Sequence, residues 1–176
     1  DRGIPVDLDY CRAAIRTAER VQKRLAAEAK KTSGGMIEST RQRDALLTHL
    51  SLDHGVDLPD MKGDTIERRL TDPDLHWAVK ALLNNRLQAS RASTAKYQSI
   101  IRGANSDGRI RGTLQFDGAA HTHRWAGRRI QPQNFMRTPK WLAGYLAVEQ
   151  AAEAIRMDAA DLIFDKPLGV LAAGVP

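Results

Sequence analysis

From Leu8 to Leu25 the residues Leu8, Cys11, Ile15, Ala18, Val21 and Leu25 recur at spacings of three and four. That period sets them along one stripe of an α-helix and commits the opening of the chain to a long helix with one buried face. Gly3-Ile4-Pro5-Val6 reads as an extended lead-in, and Asp7 stands where an N-cap belongs. The helix is expected to run to about Lys31, with Lys30 and Lys31 against the negative end of its dipole and Gly34-Gly35 stopping it. Ser39 offers a cap for a shorter helix carrying Ala45, Leu46, Leu47 and Leu50, ended near Gly55. Residues 56–61 read as loop, and Asp64 as the cap of a brief helix through about Leu70. Asp72-Pro73 opens a second long helix, with proline in its first turn. Its stripe is Leu75, Val79, Leu82, Leu83 and Leu87, and it reaches as far as Ile101. Two long helices separated by about forty residues of small elements predict an antiparallel pair with a decorated tip.

After Asn105-Ser106-Asp107-Gly108, a turn signal, the period changes. Arg109, Arg111, Thr113 and Gln115 alternate with Ile110, Gly112, Leu114 and Phe116, the period-two pattern of a strand. Asp117-Gly118 is expected to turn it back, with residues 119–125 returning alongside. A final helix from about Thr138 carries Trp141, Leu142, Tyr145, Leu146, Val148 and Ala152, followed by a helical turn over residues 159–164. The expected fold is therefore mainly α with a small antiparallel β-hairpin. It divides into a helical region (1–104), the hairpin with its following segment (105–137) and C-terminal helices (138–176).

Residues 122–134 pack three arginines, two glutamines, an asparagine and a tryptophan together without an acidic residue. No Asp or Glu occurs from Gly118 to Val148, where Arg124, Arg128, Arg129, Arg137 and Lys140 all lie, so much of the net charge of +6 is concentrated there. Arginine, glutamine and asparagine are the side chains that reach phosphates and base edges. Concentrated basic charge points to a polyanionic partner. An anionic membrane surface would match the charge, but no run approaches the roughly 20 apolar residues of a spanning helix. Against these readings stand plainer ones. The basic stretch can be a solvated loop. The ring of Trp125 is suited to stacking on a base, yet in a strand it is read first as a core anchor, and Trp77 and Trp141 as helix-face packing. His121 and His123 share a strand face without a third ligand nearby. Asp158, Asp161 and Asp165 fall at helical spacing on a solvated face, and Cys11, the single cysteine, reads as an inert buried thiol in a reducing compartment.

The order of elements and several short motifs resemble one family. Asp1-Arg2-Gly3-Ile4-Pro5-Val6-Asp7 is similar to a "G-I-x-V-D" lead-in, Ser93-Thr94-Ala95-Lys96-Tyr97 to a helix end, and Asp107-Gly108-Arg109-Ile110-Arg111-Gly112 to an "x-G-R-I/L-H/R-T/G" strand. Residues 122–134 match "T-G-R-L/W-S/A-S/G … Q-N" without a gap. Together these resemble the thumb, and the first strands leading into the palm, of family A DNA polymerases, the bacterial polymerase I type, most of all those of phages and prophages. The likeness spans roughly residues 1–145. His123 departs from it, in a place usually held by glycine, as do Phe135-Met136.

The resemblance implies a fragment of a template-directed DNA polymerase that grips primer–template duplex. It puts Arg124 and the Gln133-Asn134 pair along the duplex near its growing end. Minor-groove acceptors occur in every base pair, so donors from Arg124 and Gln133 can meet them without sequence preference. Lys96, Arg102, Arg109 and Arg111 are assigned to phosphates, and Thr122, Arg128 and Arg129 complete the expected DNA-binding set. The family's metal-binding carboxylate strand and nucleotide-binding helix match nothing here. The implied chain is inactive alone and carries no cofactor or metal of its own, with Mg²⁺ serving the full-length enzyme. Its implied partners are the duplex and the rest of the palm and fingers, with no membrane, in the cytoplasm. Because it starts at Asp1 rather than Met, the chain is expected to be a piece of a longer polypeptide. The alternative is a stand-alone, non-catalytic DNA-binding module from a degenerate prophage polymerase gene.

Overall fold

In the computed structural model Asp7 does cap the first helix: its Oδ1 accepts a hydrogen bond from the Tyr10 amide at 2.7 Å. The structure describes residues 2–91, 94–119, 121–128, 130, 142 and 144–160. Helix α1 (Leu8–Thr32) buries Cys11, Ala18, Val21 and Leu25 of the expected stripe, with Leu8 and Ile15 half-buried, and also buries Ala14 beside them. It stops where the glycines require. Gly34 takes φ +61°, and the Gly35 amide donates back to the Lys30 carbonyl at 2.8 Å.

The chain divides into two compact units, one of Asp1–Ala18 with Ser93–Pro176, the other of Glu19–Ala92. The second unit holds α2 (Arg43–His54), α3 (Gly63–Leu70) and α4 (Trp77–Arg91). Its core joins Ala29 and Ile37 to Leu46, Leu50, Ile66, Val79, Leu82, Leu83 and Leu87. Of the stripe expected on α2, Leu46 and Leu50 are buried, Leu47 is half-buried and Ala45 is exposed, while Val79, Leu82, Leu83 and Leu87 of α4 are buried as expected. The helix starts differ. Ser39 lies in a turn ahead of α2, its Oγ accepting from the Arg41 amide at 3.2 Å, while Gln42 Oε1 accepts from the Glu38 and Ser39 amides. Asp64 sits inside the first turn of α3, where it complements the dipole, and Lys62 is the N-cap. Asp72 accepts from the Asp74 amide at 3.0 Å and from Arg69 at 2.8 Å. That local turn holds residues 72–76 out of the helix, so α4 begins at Trp77 rather than at Pro73. Trp77, expected to pack, is 69% exposed at this helix start, beside the His76 ring.

The first unit begins with β1 (Ile4–Pro5), which pairs antiparallel with β2 (Arg109–Ile110). The expected reach of the second long helix to Ile101 is two helices, α4 ending at Arg91 and α5 (Ala95–Gly103) following. Tyr97 of α5 packs edge-on against Tyr10 of α1, ring centroids 5.8 Å apart. Burial pushes the Cys11 thiol up to about 11, in keeping with an inert core thiol. Helix α6 (Tyr145–Arg156) buries Ala151, Ala152, Ala154 and Ile155. Its last residue, Arg156, pairs with Glu153 and with the free oxygen of Asp7. Burial alone would push the Asp7 carboxyl up; the Tyr10 amide and Arg156 outweigh it and hold the carboxyl below its ordinary range. The expected helix start at Thr138, Trp141, Asp161, Asp165 and most of the turn at 159–164 lie outside the described residues.

The strand expected over 109–116 is broken. Gly112, at φ +65°, separates β2 from β3 (Leu114–Ala119), which pairs instead with β4 (Arg124–Gly127). Asp117 and Gly118 stay inside β3 and do not turn it. The architecture is mainly helical with a small antiparallel hairpin, as expected, and a second antiparallel strand pair, β1–β2, that the sequence reading did not foresee. Among the described residues no helix is long and apolar enough to cross a membrane.

Candidate nucleic-acid interface

The β3–β4 hairpin carries the centre of the basic segment, and its shape follows from a bulge. Leu114 faces Gly127 and Gln115 faces Ala126, but the next pair is Ala119 with Arg124. Three residues of β3 therefore oppose the single residue Trp125. Two extra residues must be folded away, and Asp117 does so at φ +52°. Gly118 is drawn over the partner strand so closely that a Cβ there would lie 2.7 Å from Ala126 Cβ. The chain reverses after Ala119, whose carbonyl accepts from the Thr122 and His123 amides at 3.0 and 2.9 Å. His123 has φ +51°, a left-handed conformation that glycine adopts without steric cost. It is the position where the family resemblance expects glycine. His123 Nδ1 lies 2.8 Å from Asp117 Oδ1, so the two left-handed residues brace each other across the hairpin.

This geometry overturns the reading of Trp125 as a core anchor. Trp125 is 62% and Phe116 73% exposed, with their rings edge to face at 5.2 Å, and Leu114 beside them is also exposed. This sheet has two strands, and the apolar side chains on this face are exposed. Alternation in the sequence marked Phe116 as facing one way; nothing local marked that side as uncovered. Leu114 and Phe116 are surface residues the sequence reading missed as candidates, and Trp125 is one it weighed for base stacking and assigned to the core. Beside them a pocket of about 420 Å³ is lined by Arg2, Gly3, Ile4, Thr113, Leu114 and Trp125.

Those of the expected DNA-binding residues that the structure describes fall into three groups. Thr122, Arg124 and Arg128 are exposed on the hairpin. Arg124 makes no ion pair among the described residues, whereas Arg128 donates through Nε to Gln115 Oε1 and through its amide to the Thr113 carbonyl at 2.7 Å. Arg109 and Arg111 already have partners within the chain. Arg109 donates to the carbonyls of Arg2 at 2.7 Å and Gly3 at 2.9 Å, stitching β1 down. Arg111 forms a two-pronged bridge to Asp107 at 2.6 and 3.1 Å, and its hydrogen bonds hold the Asp107 carboxyl below the usual range. On α5, Arg102 is exposed in the last turn, while Lys96 is half-buried with Nζ 5.0 Å from the Tyr97 ring centre. Burial lowers the Lys96 pKa. Six residues apart, they point about 120° away from each other around the helix. Arg129, Gln133 and Asn134 lie outside the described residues.

The exposed arginines of the hairpin can bind an anion, and its exposed rings can stack on a flat one. No group of three or more His, Cys, Asp or Glu among the described residues could hold a metal ion. The described residues therefore do not fit a Mg²⁺ pair. His123 is engaged with Asp117, and Asp158 accepts from the Thr17 hydroxyl at 3.5 Å.

No family profile and no solved structure matches the chain. It is 36% identical over 135 residues to a protein of Bacillus phage SP02 named DNA polymerase, a match covering 76% of this chain and 20% of that protein. The chain thus spans about a fifth of the length of the curated relative it matches.

Proposed function

We propose that this chain is a segment of a template-directed DNA polymerase of the family A type, corresponding to the thumb and the first palm strands, that holds primer–template duplex. The observation that carries the reading is the 36% identity with a phage DNA polymerase through 76% of the chain. The hairpin supports it physically, because Arg124 and Arg128 are exposed at the centre of a segment without acidic residues. In this reading Arg124 and Gln133 donate to minor-groove acceptors common to all base pairs, and Arg102, Arg128 and Arg129 meet phosphates. Arg109 and Arg111, tied to Gly3 and Asp107, would share their donors with a phosphate while shaping the β1–β2 pair. Lys96, Thr122 and Asn134 complete the contact. Nucleotidyl transfer, with its Mg²⁺ ions, belongs to other parts of the polymerase, and this segment alone binds without polymerising.

The test is a filter-binding titration of the chain with primer–template duplexes of several sequences, at low and moderate salt. Salt-sensitive binding with the same affinity for every sequence is expected. Arg124→Ala is expected to weaken all sequences alike. Absence of binding at low salt, or affinity indifferent to salt, would overturn the DNA reading, and a loss confined to one sequence would overturn the minor-groove assignment.

A further inference from the structure

We propose that His123 is a positioning residue for Arg124: its ring, tied to the Asp117 carboxylate, fixes the tip of the β3–β4 hairpin, and protonation of that ring sets how firmly Arg124 is presented to nucleic acid. The inference rests on the reading of Arg124 as a DNA contact and adds to it a second residue and a dependence on pH.

His123 occupies a costly conformation. It holds φ +51° at the reversal between the two strands, where glycine sits freely and a residue with a Cβ sits at a cost. Asp117 is in the same condition at φ +52°. The structure joins the two, with Nδ1 of His123 2.8 Å from Oδ1 of Asp117. That contact ties the bulge of β3 to the residue just ahead of β4. Arg124 comes next in the chain. It opens β4 opposite Ala119, whose carbonyl accepts from the His123 amide at 2.9 Å. The direction in which Arg124 leaves the hairpin is therefore set by the residue before it, held at both its amide and its ring. The Arg124 side chain is exposed and makes no ion pair among the described residues, so the brace at His123 is what orders its base.

The chemistry of the ring makes this brace conditional. An imidazole is the side chain that ordinarily changes charge between about pH 5 and about pH 8. An imidazolium carries a proton on Nδ1 and donates a charge-assisted bond to a carboxylate. A neutral ring has one proton for two nitrogens, and with that proton on Nε2 it turns an acceptor toward an acceptor. Among the described residues Asp117 is the charged group bonded to the ring, and His121 and Arg124 are its ionisable neighbours along the chain. The charged ring is thus the form that holds the tip. The hold is complete below the imidazole range and declines as pH rises through it. With the ring 78% and the carboxylate 48% exposed, the pair works in water, and its effect is that of a surface ion pair.

The experiment titrates the whole chain with a labelled primer–template duplex between about pH 5.5 and about pH 8.5 at constant salt, a range that spans imidazole protonation. Wild-type affinity is expected to fall roughly 2- to 5-fold across it, the scale of one exposed ion pair. His123→Gly accepts the left-handed backbone without the brace. It is expected to fold as wild type does by circular dichroism, to bind at the weaker level throughout and to show no pH response. Arg124→Ala is expected to lose most of the response, because the brace acts through that residue, and His121→Gln is expected to keep it. A response in His123→Gly equal to that of wild type overturns the role of His123. Wild-type affinity indifferent to pH does the same and leaves the DNA reading standing. A response of full size in Arg124→Ala shows the imidazolium acting on DNA directly and overturns the positioning role, and its loss in His121→Gln moves the titration to that residue and overturns it likewise. Failure of the wild type to bind the duplex at any pH overturns both this inference and the DNA reading.

Discussion

Replacing both exposed hairpin arginines, Arg124→Ala/Arg128→Ala, tests the electrostatic core of the proposal through salt dependence rather than affinity alone. Both side chains reach solvent, and neither is a buried member of the core. Their removal takes away charge with little packing. Arg128 does lose its Nε bond to Gln115, but its amide bond to Thr113 at 2.7 Å belongs to the backbone and survives in alanine. Each phosphate that a cation neutralises adds about 0.9 to the slope of log affinity against log salt; of the two arginines Arg128 is the one assigned to phosphate and Arg124 to base edges, so the pair accounts for about 0.9. Between about 50 and about 200 mM salt, roughly 0.6 of a decade, that is about 0.54 of a decade of affinity. Wild type is therefore expected to weaken about 3.5-fold more than the double variant over this interval. Fluorescence anisotropy with a labelled primer–template duplex, read at four salt concentrations for each protein, measures both slopes. Parallel lines, with the variant merely displaced downward, would show that neither guanidinium sits on a phosphate and would refute the reasoning. A change of about 1.8 would place Arg124 on phosphate as well and take it off the base edges.

Arg109→Ala removes the donors that hold the Arg2 and Gly3 carbonyls, and a loss of about 1–2 kcal/mol in a denaturant melt is expected; an unchanged midpoint would remove the clamp from the account. Leu50→Ala empties a fully buried site in the core with Leu46, Ile66 and Leu83 and is expected to cost about 2–5 kcal/mol by the same melt, with a loss under 1 kcal/mol contradicting close packing there. Gly118→Val drives a branched side chain into Ala126, so the hairpin is expected to open; faster hydrogen exchange at the Arg128 amide would report it, and undiminished protection would contradict the bulge. The folded-state pKa of Asp7 is depressed, so its contribution to stability is present above the ordinary carboxyl range and lost as pH falls through the folded value. Asp7→Asn is accordingly expected to flatten the decline of thermal midpoint below about pH 5, and a decline as steep as wild type would refute that linkage.

Much of the helical frame was legible because its signals are local. The stripe from Cys11 to Leu25, the stop at Gly34-Gly35 and the left-handed Gly55 at the end of α2 each follow from a spacing or from one residue's allowed backbone angles. Helix starts were harder to read. Ser39 and Asp64 have the chemistry of caps, yet a side-chain acceptor can bond any nearby amide, and neighbouring Gln42 and Asp60 compete for the same turns. The candidate interface was legible in charge and illegible in placement. Arg124 and Arg109 look alike in a list of residues. One projects from a hairpin, while the other spends its donors on carbonyls more than a hundred positions away in sequence.

Sequence by itself determined the buried stripes of the helices, where the basic charge gathers, and the resemblance to polymerase thumbs, since all three depend on residue types at short spacing. Tertiary structure alone decided that residues 109–116 serve two different sheets, that Asp117 and Gly118 make a bulge in place of a turn, and that Trp125 faces water. Strand alternation says only that neighbouring side chains point to opposite sides. Which side is covered depends on what else in the chain arrives there, and that is a long-range fact which no local pattern carries.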